Sequence, residues 1–110
     1  MKQSDFEDFI IGLGDCVIDR ETEKGLVLFK ASGKIYAIIH DSSKPLRLEA
    51  KCDRRLAKLL RTKYESILPS KNMDKKVWNE IICSGQLDYD EVKDLLRLSY
   101  NLVITEEDEI

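Results

Sequence analysis

Histidine occurs once in this chain of 110 residues, as His40, and cysteine three times, as Cys16, Cys52 and Cys83. A lone imidazole at the end of a strand pattern cannot supply a His-rich metal motif. It reads as a structural histidine rather than a general base. Three cysteines, odd in number and far apart, fit neither a disulfide framework nor the paired C-x-x-C ligands of a zinc site. Free thiols that pack as small apolar side chains are expected, since Cys16 precedes Val17-Ile18 and Cys83 follows Ile81-Ile82. Gly-rich phosphate loops and nucleophile elbows are also missing. Glu49 or Asp53 could act with a basic neighbour, but nothing in their spacing singles them out. The expectation is therefore a protein that is not an enzyme, with no catalytic residue, no cofactor and no metal ligand set.

No apolar run approaches the roughly 20 residues that span a bilayer. The start, Met1-Lys2-Gln3-Ser4-Asp5-Phe6, lacks the basic-then-apolar profile of a secretory signal. A cytoplasmic protein that does not engage a membrane is expected. With 43% hydrophobic and 35% charged residues, the chain suits a single domain over residues 1–110, able to bury about two-thirds of its unfolded surface. No repeat, low-complexity segment or linker divides it.

Charge is present in quantity and is segregated. The formal net charge of -3 is made of -3 over residues 1–43, +7 over residues 44–76 and -7 over residues 77–110. A basic middle sits between acidic ends.

Hydrophobic period and turn chemistry outline the elements. Ser4-Asp5-Phe6-Glu7 has the form of a capping box, followed by a short helix with Phe6, Phe9, Ile10 and Leu13 on one face and Gly12 or Gly14 as its stop. A short strand is expected over residues 16–19. Leu26–Ala31 and Lys34–His40 flank Ser32-Gly33 and form a hairpin. Leu46, Leu48 and Ala50 alternate with Arg47, Glu49 and Lys51, which predicts a half-buried strand with one wet, basic face. Asp53 is placed to cap a helix reaching Thr62 or Lys63, with an apolar stripe of Leu56, Leu59, Leu60 and Tyr64. Pro69 ends that region. A strand over residues 77–83 follows, and then a helix whose start, Asp88 to Glu91, repeats the capping pattern. Val92, Leu95, Leu96, Ser99, Leu102 and Val103 mark its buried face, and the acidic end, residues 105–110, is expected to fray. The fold class is α+β, an antiparallel sheet meander packed against helices in two layers.

Lys51-Cys52-Asp53, the Leu-rich helix with Leu56, Leu59 and Leu60, then Tyr64, Pro69, Met73, Lys75, Trp78-Asn79, Ser99-Tyr100 and Leu102-Val103 resemble the pattern of the MmcQ/YjbR family. The hairpin strings Phe29-Lys30 and Gly33-Lys34-Ile35-Tyr36-Ala37 resemble its strands as well. The resemblance implies a CyaY-like (frataxin-like) two-layer sandwich and, for some members, DNA binding through paired strands; it implies no established reaction. One segment departs from the pattern. Where many members have Tyr-His-Met-Asn-Lys-Arg-His-Trp, this chain has Lys71-Asn72-Met73-Asp74-Lys75-Lys76-Val77-Trp78 and so lacks both histidines.

Two partner classes follow. Lysine and arginine neutralise phosphates and release counterions regardless of sequence, so a nucleic-acid site is expected at Arg47, Lys51, Arg54, Arg55, Lys58, Arg61, Lys71, Lys75 and Lys76, with Trp78 as a stacking ring. The competing account is a solvated face that shields the leucine stripe, with Trp78 in the core. The alternative function is weak divalent-metal or protein-partner binding by acidic residues near the start, namely Asp5, Asp8, Asp15, Asp19, Glu21 and Glu23, by analogy with frataxin-like proteins. The protein is expected to be a monomer.

Overall fold

The computed structural model describes residues 1–20 and 22–106. In chain order these form α1 (Gln3–Ile11), β1 (Val17–Asp19), β2 (Leu26–Ala31), β3 (Lys34–His40), β4 (Leu46–Lys51), α2 (Arg54–Lys63), β5 (Ile67–Pro69), β6 (Trp78–Cys83) and α3 (Tyr89–Thr105). The strands make one antiparallel six-stranded sheet in the order β1-β2-β3-β4-β6-β5. This is the expected α+β arrangement. No described helix is long and apolar enough to cross a membrane.

Local chemistry explains the elements that were legible. Ser32 and Gly33 both have positive φ, 52° and 76°, the twist that a two-residue hairpin requires, and Ala31 pairs directly with Lys34. Asp53 accepts from the Leu56 amide and starts α2. Asp88 accepts from the Glu91 amide at 2.8 Å while Glu91 takes the Asp88 amide, a complete capping box for α3.

Four local expectations are corrected. Ser4 does not cap α1: the Gln3 side chain donates to Asp41 Oδ1 and accepts from the Ser42 amide, the helix starts two residues early with Lys2 at its cap, and Ser4 falls inside its first turn. Leu59 is 59% exposed, and Ala57 takes the buried position on α2. Pro69 does not simply end a loop. It closes β5, a three-residue edge strand on β6, where the missing proline N–H costs nothing. Thr105 is helical and Glu106 pairs with Lys51 and Lys34, so the expected fraying does not begin at 105; residues 107–110 lie outside the described residues.

Helices cover one face of the sheet, over a core that includes Phe6, Ile10, Phe29, Tyr36, Ile39, Leu48, Ile81 and Leu96. The elements are tied together by buried hydroxyls. Tyr36 donates to the Ile10 carbonyl at 3.0 Å, joining β3 to α1. The Ser99 hydroxyl, fully buried on α3, donates to the Tyr36 carbonyl and accepts from the Lys51 amide. Burial pushes the Tyr36 phenol above its ordinary range, reinforced by neighbouring Cys16. Cys52 and Cys83 are free thiols raised to about 11, chiefly by burial, so they stay protonated at neutral pH and pack as apolar groups.

The opposite face is covered too. Leu26, Ile38 and Trp78 form a second cluster with Leu28, Ile35, Met73 and Val77, closed by the segment 70–77 between β5 and β6. Replacing Ser99 with alanine leaves the Lys51 N–H and the Tyr36 carbonyl unpaired in the interior. A loss of about 1–3 kcal/mol is expected, measurable by urea denaturation as a lower midpoint at unchanged slope.

Candidate functional site

Glu49, in the centre of β4, lies opposite Ile38 of β3 and Glu80 of β6 on the face away from the helices. The expected wet, basic face is therefore corrected: two carboxylates stand on neighbouring strands there, Glu49 fully buried and Glu80 3% exposed. Burial follows from the segment 70–77, which folds back over the sheet. Ser70 donates its hydroxyl to Glu49 Oε1, and Asn72 Nδ2 donates to Glu49 Oε2 at 2.7 Å. The Ser70 oxygen also receives the Asn72 and Met73 amides, which shapes the turn.

His40, at the end of β3, brings Nε2 to 2.8 Å from Glu49 Oε2 and 3.5 Å from Glu80 Oε1. Arg47 Nη1 stands 3.6 Å from Glu80 Oε2, too far to be a hydrogen bond, and that oxygen has no hydrogen-bond partner among the described residues. Among the described residues, His40, Glu49 and Glu80 are the one group of three histidine, cysteine or acidic side chains whose ligand atoms all approach within 4.8 Å. Sequence reasoning missed Glu80 and set His40 and Glu49 aside. The usable signal is that Glu49 and Glu80 are paired in register, and that appears only once β4 is known to neighbour β6.

The basic residues divide into two sets. Three are engaged inward or at edges. Arg47 faces Glu80, and Lys51 is paired with Glu106. Arg61 donates from Nη1 to Asn79 Oδ1 at 2.8 Å and to the Lys75 carbonyl at 3.1 Å. Trp78 is 4% exposed, in contact with the Leu26 and Ile38 cluster, so its ring offers no stacking face to a base. The stacking role is thereby corrected.

The other set is exposed. Arg54, Arg55 and Lys58 line an open groove with Asp53 at the start of α2, and Lys71, Lys75 and Lys76 lie on the covering segment. No ion pair among the described residues engages any of these six. The Arg61 bond to the Lys75 carbonyl fastens the segment to α2. Asp53 and Asp74, the acids among them, each bind a backbone amide, of Leu56 and Lys76. The acidic residues of α3 do not neutralise the patch: Asp90 pairs with Lys93 and Asp94 with Arg97 on their own helix.

The acids near the start form no comparable site. Glu7 is taken by Arg20 and Gln3, and Asp5, Asp8, Asp15, Asp19 and Glu23 supply no group of three converging ligand atoms among the described residues. Glu21 lies outside the described residues. Of the two positions where the family pattern carries histidine, Asn72 donates to Glu49 and Val77 packs beside Trp78.

Removing the Glu49 carboxylate strands the Ser70 hydroxyl and the Asn72 amide. Glu49→Ala is expected to cost about 2–4 kcal/mol, reduced from the usual loss of a buried charge partner by relief of repulsion with Glu80. Hydrogen exchange is the discriminating measurement, with amides of residues 70–77 losing protection before those of α3.

The YjbR family model matches residues 17–102. No curated protein matches the chain. Among solved structures, the Deinococcus radiodurans protein DR2400, described by its DUF419 domain, is 26% identical with a TM-score of 0.88 over 94% of this chain and 78% of its own. A Pseudomonas syringae structural-genomics target resembles the chain as a crystal structure, with 24% identity and a TM-score of 0.78 over 94% and 99% of the two chains. Its solution structure gives 25% identity and a TM-score of 0.76 over 100% and 98%. The match over residues 17–102 covers both strands of the hairpin, all of α2, the segment over Glu49 and most of α3, and the chain belongs to the YjbR family.

Proposed function

We propose that the protein is a nucleic-acid-binding module, not an enzyme, that takes duplex DNA by its phosphates on the surface formed by α2 and the segment 70–77. The observation that carries this is the set of six exposed cations, Arg54, Arg55, Lys58, Lys71, Lys75 and Lys76, none of them in an ion pair with a described residue. The backbone that carries these cations is fixed by a helix and by a loop fastened to it, and each phosphate contact releases a counterion. Arg61 acts as a positioning residue: its guanidinium is spent on Asn79 and the Lys75 carbonyl. Arg47, Lys51 and Trp78 drop out of the contact set for the reasons of geometry given above.

The overall charge of -3 places acidic surface elsewhere on the molecule, which repels a polyanion and orients it. Binding without sequence preference, with a dissociation constant of about 10⁻⁴–10⁻⁶ M at physiological salt, is the expected scale. Fluorescence polarisation with a labelled duplex across a salt series tests it. With about four to six phosphate contacts, log K should fall against log salt with a slope of about -4 to -5. The triple variant Arg54→Ala, Arg55→Ala, Lys58→Ala should flatten that slope by about three and weaken binding at least tenfold. Absence of binding at low salt, or a slope that the triple variant leaves unchanged, contradicts the proposal.

A further inference from the structure

The buried acid pair on the outer face has no part in phosphate binding and calls for its own account. Like charges directly opposite each other on neighbouring strands are destabilising, and burial makes them more so. Glu49 and Glu80 are such a pair, in register on β4 and β6 and both nearly inaccessible. The groups that face them offset this incompletely. Glu49 receives three hydrogen bonds, from Ser70, Asn72 and His40, whereas Glu80 Oε2 receives none from the described residues and meets Arg47 at 3.6 Å. Arg47 is within ion-pair distance of that oxygen, but a buried carboxylate oxygen without a hydrogen bond still calls for a further partner, a water or an ion.

We infer that His40, Glu49 and Glu80 form a binding site for one divalent first-row transition-metal cation. An ion held at about 2.0–2.2 Å by nitrogen and oxygen ligands places those ligands roughly 3–4 Å apart. His40 Nε2 already stands 2.8 Å from Glu49 Oε2 and 3.5 Å from Glu80 Oε1, and all three ligand atoms fall within 4.8 Å of one another. Small side-chain rotations admit the ion without moving the strands. An imidazole nitrogen with two carboxylates and no thiolate suits Mn²⁺, Fe²⁺ or Zn²⁺ in preference to Ca²⁺ or Mg²⁺, which take oxygen alone.

The surroundings have the form of an outer ligand sphere. Ser70 and Asn72 fix the Glu49 carboxylate from the covering segment, as hydrogen-bonded supports fix first ligands in metal sites. His40 is 23% exposed on its side chain and gives the ion its route from solvent. On binding, Nε2 turns its lone pair to the metal, its proton moves to Nδ1 or to solvent, and the hydrogen bond to Glu49 is replaced by bonds from both groups to the cation. The site is separate from the acidic residues near the start of the chain, which do not converge.

Because His40 is the only histidine, its ring signals report on the site without overlap. The full chain, freed of metal with a chelator, is titrated with Mn²⁺ and followed by NMR, and affinity is measured by calorimetry. Paramagnetic broadening should begin at the His40 ring and at the amides of Glu49 and Glu80, and saturate at one equivalent. Added Zn²⁺ should compete with Mn²⁺ and restore the signals. His40→Ala and Glu80→Gln should each weaken binding at least tenfold, the second with the side-chain shape kept, and Asp5→Asn with Asp8→Asn should change nothing. No broadening at millimolar Mn²⁺ overturns the site, as does broadening centred on Asp5, Asp8 or Asp19. Affinity unaltered by both His40→Ala and Glu80→Gln overturns it equally.

Discussion

The Glu49 carboxylate has no surface left to water, and its oxygens are served by a hydroxyl and an amide from the segment 70–77 and by the imidazole of His40. Much of the outer half of the molecule depends on those bonds. They hold the segment against the sheet, and Met73 and Val77 can then close the cluster around Trp78 and Ile38. The same fold-back brings the Lys75 carbonyl to Arg61, which joins the segment to α2. A charge buried in mid-strand is costly unless fully bonded, so the segment and the carboxylate hold each other in place. This one piece of chain carries the exposed Lys71, Lys75 and Lys76 and covers the buried Glu49.

Where the sequence carries a local signal, the fold was legible. The Ser32-Gly33 turn set both strands of the hairpin, and Asp53 and the Asp88/Glu91 pair set the starts of α2 and α3. The charge segregation marked the stretch that carries the exposed cations of α2 and of the segment 70–77. The misses share one cause, which is that they depend on neighbours distant in sequence. Gln3 reaches residues 41 and 42, and this moved the start of α1 away from Ser4. Edge strand β5 exists only because β6 is beside it. Alternation along β4 gave the right two faces but the wrong solvent, because the cover over Glu49 arrives from residues 70–72.

The basic residues divide on the same ground. Ten residues were expected to serve nucleic acid, and sequence alone cannot tell an arginine that faces water from one that faces a buried asparagine. Arg61 is of the second kind and Arg54 of the first. Trp78 was weighed between stacking and core, and the cluster with Leu26 and Ile38 puts it in the core. Six exposed cations remain unpaired among the described residues, on a chain whose family membership carries no named reaction.

Mapping duplex DNA onto the protein by amide NMR tests the central claim most directly, namely that the segment fastened by Glu49 and Arg61 shares one binding surface with α2. At low salt, the amides that shift should be those of Arg54 to Lys58 and of residues 71–76 together, with α1 and the acidic start of α3 unmoved. Shifts confined to α2, or centred on β1 and α3, would contradict it.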